Sequence, residues 1–112
     1  MAGVEDPDVI DLVAHDAEGR CLVVMVETRP WGLDPDQGAQ LKAKINAYAT
    51  WITDGSLLAS APEADGAPVV IRLDCAEPPT GAYAVITVLA ARNLGELGIG
   101  FEVHVADTAP EN

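Results

Sequence analysis

Residues 29–55 constrain the fold of this chain more than any other stretch. Asp34, Pro35 and Gln37 stand where the start of a helix needs them. Asp34 suits the cap, Pro35 the first helical position, where a missing N–H costs nothing, and Gln37 lies three residues on to close a capping box. Leu41, Ile45, Tyr48 and Ile52 then recur at spacings of four, three and four, which places them on one helical face. Ala43, Asn46 and Thr50 fall opposite. Asp54-Gly55 supplies the stop, with Gly55 free to adopt the left-handed conformation. Ahead of the helix, Pro30 lacks a backbone donor and ends whatever strand precedes it.

Around this helix the pattern alternates between strand and helix. Ile10, Leu12 and Ala14 alternate with Asp11, Val13 and His15, which is strand periodicity. Residues 16–20 are polar with a glycine and suit a hairpin into a second strand, Cys21 to Thr28. Residues 56–68 hold Pro62, Asp65-Gly66 and Pro68 and read as a long loop with at most one helical turn. Val69 to Cys75 is a third strand, with Val69, Ile71, Leu73 and Cys75 facing one way and Val70, Arg72 and Asp74 the other. Thr80 to Asn93 is a second helix, capped by Thr80 and burying Ala82, Val85, Ile86 and Leu89. Gly95 and Gly98 turn the chain into a last strand, Ile99 to Val105.

The order ββαβαβ joins strands two, three and four through helical crossovers, which makes those strands parallel and the crossovers right-handed. Both helices then lie on one face. The expected fold is α+β, a two-layer α/β sandwich with a four-stranded mixed sheet and one uncovered sheet face. Whether the first strand lies at the edge or between strands two and three stays open. Residues 1–8 are expected to be a flexible lead, 9–106 a single domain, and 107–112 a disordered tail.

A chain of 112 residues with 49% apolar content can form one core without metal or disulfide. No basic, apolar leader begins it and no apolar run nears the ~20 residues of a membrane helix, so the expectation is a soluble, cytoplasmic protein. Eighteen acidic residues against six basic ones give a formal net charge of −12. That balance disfavours nucleic acid and anionic membrane, both of which bind through Lys and Arg. Three readings of the acidity remain: solubility, a salt-adapted source, or a surface that attracts a basic partner. Cys21 and Cys75 fall at opposite ends of different strands and are expected to be free, buried thiols.

Little in the sequence points to a reaction. No Gly-x-Ser-x-Gly elbow occurs, Ser56 and Ser60 sit in a loop, and both histidines lie far from them. Asp11, His15, Glu27, Arg72, Asp74, Glu102 and His104 take the outward register of their strands, which is either a metal-ligating cluster or, more plainly, a solvated sheet face. Arg72 among them favours ion pairing, and no metal or other cofactor is expected. The same outward face is assigned Val13, Val23, Met25 and Val70, an apolar set suited to a homodimer or a partner interface. Arg29, Trp31 and Lys44, with Lys42 near, form a candidate anion-binding corner in which an aromatic wall stands beside positive charge. Asp34 and Asp36 already occupy the helix N-terminus there, and Lys42 lies about 160° from Lys44 around the helix. In the plainer reading Trp31 seals the core and Lys44 extends over it.

Ile10-Asp11, Trp31, Leu41, Lys44-Ile45-Asn46, Tyr48, Ile52 and Gly55 together resemble the pattern of DUF6572, a group of small bacterial proteins of unknown function. The resemblance spans Val9 to Val105, with the helix motif its specific part. Arg29-Pro30 before the tryptophan and the alanine-rich middle depart from the family's usual look. It implies the fold and a bacterial source, and transfers no activity. The leading expectation is a non-catalytic protein-interaction or accessory module, immunity-like blocking of a basic enzyme being one form. The alternative is a small anionic-ligand binder or an enzyme using the Arg29/Trp31/Lys44 corner.

Overall fold

The computed structural model describes residues 12–105. The N-terminal lead, the C-terminal tail and the Ile10-Asp11 end of the first strand lie outside the described residues. Strand β1 (Leu12–His15) turns through a hairpin into β2 (Cys21–Glu27), which leads to helix α1 (Gln37–Thr53). A short helix α2 (Ser56–Ser60) and a 3-10 turn (Pro62–Ala64) precede β3 (Val69–Cys75). Helix α3 (Ala82–Glu96) and strand β4 (Gly100–Val105) complete the order.

The four strands form one mixed sheet in the order β1-β2-β3-β4, so β1 is an edge strand. It pairs antiparallel with β2, Val13 opposite Val23, while β2, β3 and β4 run parallel, with Val23 opposite Ile71 and Ile71 opposite Phe101. Between the sheet and the helices lies one core. Cys21, Val23, Met25, Ile71 and Leu73 from the sheet meet Leu41, Ile45 and Tyr48 of α1, Leu57 of α2, and Ala90 and Leu94 of α3. The result is a two-layer α+β fold.

Helix α1 obeys its spacing but not its expected cap. Asp34 Oδ1 accepts the N–H of Asp36 at 2.8 Å, an Asx turn that sets up the first turn. Gln37 does not reach back to close a box. Its side chain turns into the protein, and the residue is fully buried. At the other end Gly55 adopts φ +93°, the left-handed conformation expected of it.

Two facings differ from the sequence expectation. Val13, Val23 and Met25 pack beneath the helices, and of the four residues assigned to the opposite face only Val70 lies there, buried with Leu22 and Val24. The cause is β2 itself: Cys21 to Met25 are buried on both faces, so hydrophobic alternation carries no sign of which side is which. Glu27 and His15 share the parity of Cys21 and move with it to the helical side. The second correction concerns α3, whose inward stripe is the half-buried Tyr83 and Ile86 with the buried Ala90 and Leu94, whereas Ala82, Val85 and Leu89 are exposed. A helix that is apolar nearly all round has no legible inner face.

Candidate functional site

The Arg29 corner is built at the carboxyl end of β2. Glu27, the last residue of that strand, is 1% exposed, and a buried carboxylate demands partners. Arg29 supplies them by folding back two residues: its backbone N–H and Nε each donate to Glu27 Oε1 at 2.9 Å, and one terminal nitrogen donates to Oε2 at 2.7 Å. Gln37 Nε2 adds a bond to Oε2 at 3.0 Å. Burial alone would raise the Glu27 carboxyl, but the bonds from Arg29 and Gln37 outweigh it and hold it below the ordinary glutamate value.

The rest of the arginine fork is occupied too. It donates to Gln40 Oε1 at 2.8 Å and to Asp34 Oδ2 at 3.3 Å. Gln37 Oε1 accepts the N–H of Gly32 at 2.8 Å, fixing the loop between β2 and α1. Trp31 then ties that loop to the next one. Its Nε1 donates to the Glu77 carbonyl at 2.7 Å, and its ring lies 5.0 Å from that of Tyr83 at the start of α3. This corner is a clamp on three chain segments, with its positive charge turned inward.

Lys44 does not join it. The residue is fully buried, its ammonium 5.5 Å from the ring centroid of Tyr48, whose hydroxyl donates to the Val24 carbonyl at 2.9 Å. The structure therefore brings Arg29 and Trp31 to one end of β2 and places Lys44 within the inner stripe of α1, rather than over the core surface. Glu27 and Gln37, which organise the corner, were not expected at it; a glutamate closing a buried strand two residues before an arginine was the available signal.

The sheet face away from the helices, expected to be uncovered, buries its apolar residues on β2 and β3 and presents charge pairs beside them. Arg72 donates twice to Asp74 at 2.8 and 3.0 Å, and Arg20 to Glu102 at 2.6 Å. Leu22, Val24 and Val70 beside them are each under 7% exposed. Among the described residues no group of three or more His, Cys, Asp or Glu is arranged to hold a metal ion. Both cysteines are free and buried, and burial pushes the Cys75 thiol up to about 11.

The helical layer is different. At one end Gly38 of α1 faces Ile86 and Tyr83 of α3, where a Cβ would stand at an ordinary contact distance of 3.5 Å from Ile86 Cδ1. Farther along, the two helices border a groove of about 290 Å³, walled by Ile45, Ala49, Leu89 and Leu94, with Lys42 and Asn93 on its lining. Beside it α3 raises a ridge of Val85, Val88 and Leu89, at 56%, 61% and 46% exposure, and Leu97 follows at 58%. Helix α1 carries no acidic residue and α3 only Glu96, in a chain of net charge −12. No helix of the described residues is long and apolar enough to cross a membrane.

A family model described as "Family of unknown function (DUF6572)" matches residues 2–107. No curated protein and no solved structure matches the chain.

Proposed function

The chain belongs to the DUF6572 family, whose function is unknown, and from that premise we propose that it is a non-catalytic protein-interaction or accessory module working through the outer face of α1 and α3. One observation carries the reading: Val85, Val88, Leu89 and Leu97 stand exposed beside an apolar groove, on helices nearly free of acid. Contiguous exposed apolar surface next to a groove marks interaction sites more often than incidental greasiness. Immunity-like blocking of a basic enzyme belongs to the same class and would instead use the acidic loops, where the charge is concentrated.

The alternative, an anion binder or enzyme at Arg29, Trp31 and Lys44, draws less support. The Arg29 fork already donates to Glu27, Asp34 and Gln40, and Lys44 is enclosed by the core.

The test is a photocrosslinking residue at position 88, with the same residue at position 58, exposed on α2, as control. Defined protein adducts from position 88 and none from position 58 are expected. Equal, diffuse labelling from both positions would remove the basis for the reading. A saturable change in Trp31 fluorescence with small anions, lost in Arg29→Gln, would favour the alternative.

A further inference from the structure

We propose that strand β4 pairs antiparallel with β4 of a second copy of this chain, about a two-fold axis at Val103, so that two four-stranded sheets join into one. This junction lies at the sheet edge, away from the helical groove, and goes beyond the reading above. Among the described residues β4 bonds on one side only, to β3. Its other edge is the extended main chain of Gly100–Val105, in unbroken register with β3. It has none of the lysine, proline or bulge by which sheet edges discourage pairing. The His104 carbonyl turns inward, where the Cys75 thiol donates to it at 3.6 Å. Main-chain groups alternate in direction along a strand, so Phe101, Val103 and Val105 aim their N–H and C=O groups at the open edge.

The side chains of β4 select both partner and register. Residues directly opposite in an antiparallel pair share a sheet face, and a two-fold pairing of most of the strand is centred on Glu102, Val103 or His104. Centring on Glu102 opposes two carboxylates, and centring on His104 opposes two imidazoles. Centring on Val103 sets Glu102 against the partner's His104 and Phe101 against the partner's Val105. Arg20 engages Glu102 through Oε2 at 2.6 Å, which leaves Oε1 to accept from the partner's His104. Phe101 and Val103 already pack against the helical core, so the apolar pairs extend that core across the axis. About six main-chain hydrogen bonds follow from this register.

An axis perpendicular to the sheet keeps the helices of both copies on one face and brings the two α3 helices side by side. Leu89 lies on the groove side of α3, toward α1. By the 3.6-residue repeat Ala84, Thr87 and Ala91 lie on the other flank, toward the open edge. These small, uncharged residues suit an approach at the roughly 8–10 Å of ordinary helix packing. The net charge of −12 opposes any self-association. At about 0.15 M salt, however, charges act over only about 8 Å. Strand β4 and this flank carry one acid, Glu102, which Arg20 already pairs. The dimer is accordingly weak, dissociating on the order of 0.1 mM.

Sedimentation equilibrium of the full chain at about 0.15 M salt tests this, together with amide hydrogen exchange over the same concentrations. A monomer–dimer equilibrium is expected, with exchange at the Val103 and Val105 amides slowing as concentration rises. His104→Glu sets a carboxylate against the partner's Glu102 on both sides of the axis and is expected to weaken association by about tenfold or more. His104→Lys is expected to retain or tighten it. Position 104 is exposed, so both variants should keep the circular dichroism of the parent. Leu58→Glu, which adds a negative charge at an exposed position on α2, is expected to leave association unchanged. Val105→Pro removes an outward N–H without touching the bonds to β3 and is expected to weaken the dimer as well. A strict monomer at about 1 mM overturns the proposal. So does a dimer in which His104→Glu and His104→Lys behave alike, or one whose Val103 and Val105 amides exchange independently of concentration. Crosslinking from position 88 reads the helical face alone, so a failed edge junction leaves that reading standing, and the reverse holds too.

Discussion

The Glu27 carboxylate is the buried member of its ion pair and Arg29 the half-buried one, and this asymmetry decides what each contributes. Replacing Glu27 by Gln leaves a guanidinium with Asp34 and Gln40 still in reach. Replacing Arg29 by Ala strands a carboxylate that is 1% exposed. Removing one partner of a buried pair costs about 3–5 kcal/mol because the other charge is left without compensation. Arg29→Ala is therefore expected at about 3–4 kcal/mol and Glu27→Gln at about 2 kcal/mol, read from urea midpoints. The double substitution E27L/R29M should cost less than Arg29→Ala alone, since it removes both charges together. Equal losses for the two single variants would contradict the asymmetry.

Acid should dismantle the same clamp. The Glu27 carboxyl is held below its ordinary value in the folded protein, so the folded state favours the ionised form more than the unfolded chain does. The stabilisation it supplies is complete above the unfolded value of about 4.3 and is lost as pH falls through the depressed folded value. Stability should therefore fall steeply below about pH 4.5, and less steeply in Glu27→Gln, which has no proton to take up at that position. Urea midpoints measured across this range for both proteins decide the matter. Parallel curves would show that Glu27 is not the group responsible.

The parts of the fold that were legible from sequence are those where one residue type can mean only one thing. Gly55 ends α1 because its φ of +93° is open to glycine and costly to the rest. Val69 to Cys75 alternates cleanly and forms β3 over those residues. Lys44 shows the opposite case. Leu41, Lys44, Ile45 and Tyr48 are spaced i, i+3, i+4, i+7, so geometry already assigned Lys44 to the inner stripe, yet its residue type pointed outward. The sheet facing failed because β2 is buried on both sides, and the exposed ridge on α3 stayed hidden because Val85, Ile86, Val88 and Leu89 look alike in sequence. Which of them faces the core is settled by packing, not by pattern.

Gly38 offers a stability gain that sequence alone would not recommend. It lies inside α1, its φ is not positive, and a Cβ there would meet Ile86 Cδ1 at 3.5 Å and Tyr83 Cε1 at 3.8 Å, both ordinary contact distances. Alanine reduces the freedom of the unfolded chain without straining the folded one. Gly38→Ala is expected to add about 0.5–1 kcal/mol and raise Tm by about 2–8 °C. A lower Tm would mean that the two helices approach more closely at this point than the 3.5 Å contact allows.

The two cysteines should be silent in the folded protein. Cys75 is 2% exposed, and burial, with the negative charge of Asp74 and Glu27 nearby, pushes its thiol up to about 11. Cys21 is fully buried and shifted the same way, again by burial first and then by Glu63. Only the thiolate attacks a disulfide reagent, and at pH 8 the Cys75 thiolate fraction is about one in a thousand. Native protein at pH 8 should therefore show no fast-reacting thiol toward an aromatic disulfide reagent, and protein in urea should show two. Any slow native reaction proceeds through opening of the fold, so its rate should rise in parallel in Arg29→Ala, which destabilises the sheet end where Cys75 lies opposite Glu27. A thiol that reacts at once in the native protein, or a slow phase indifferent to Arg29→Ala, would place that cysteine outside the core described for it.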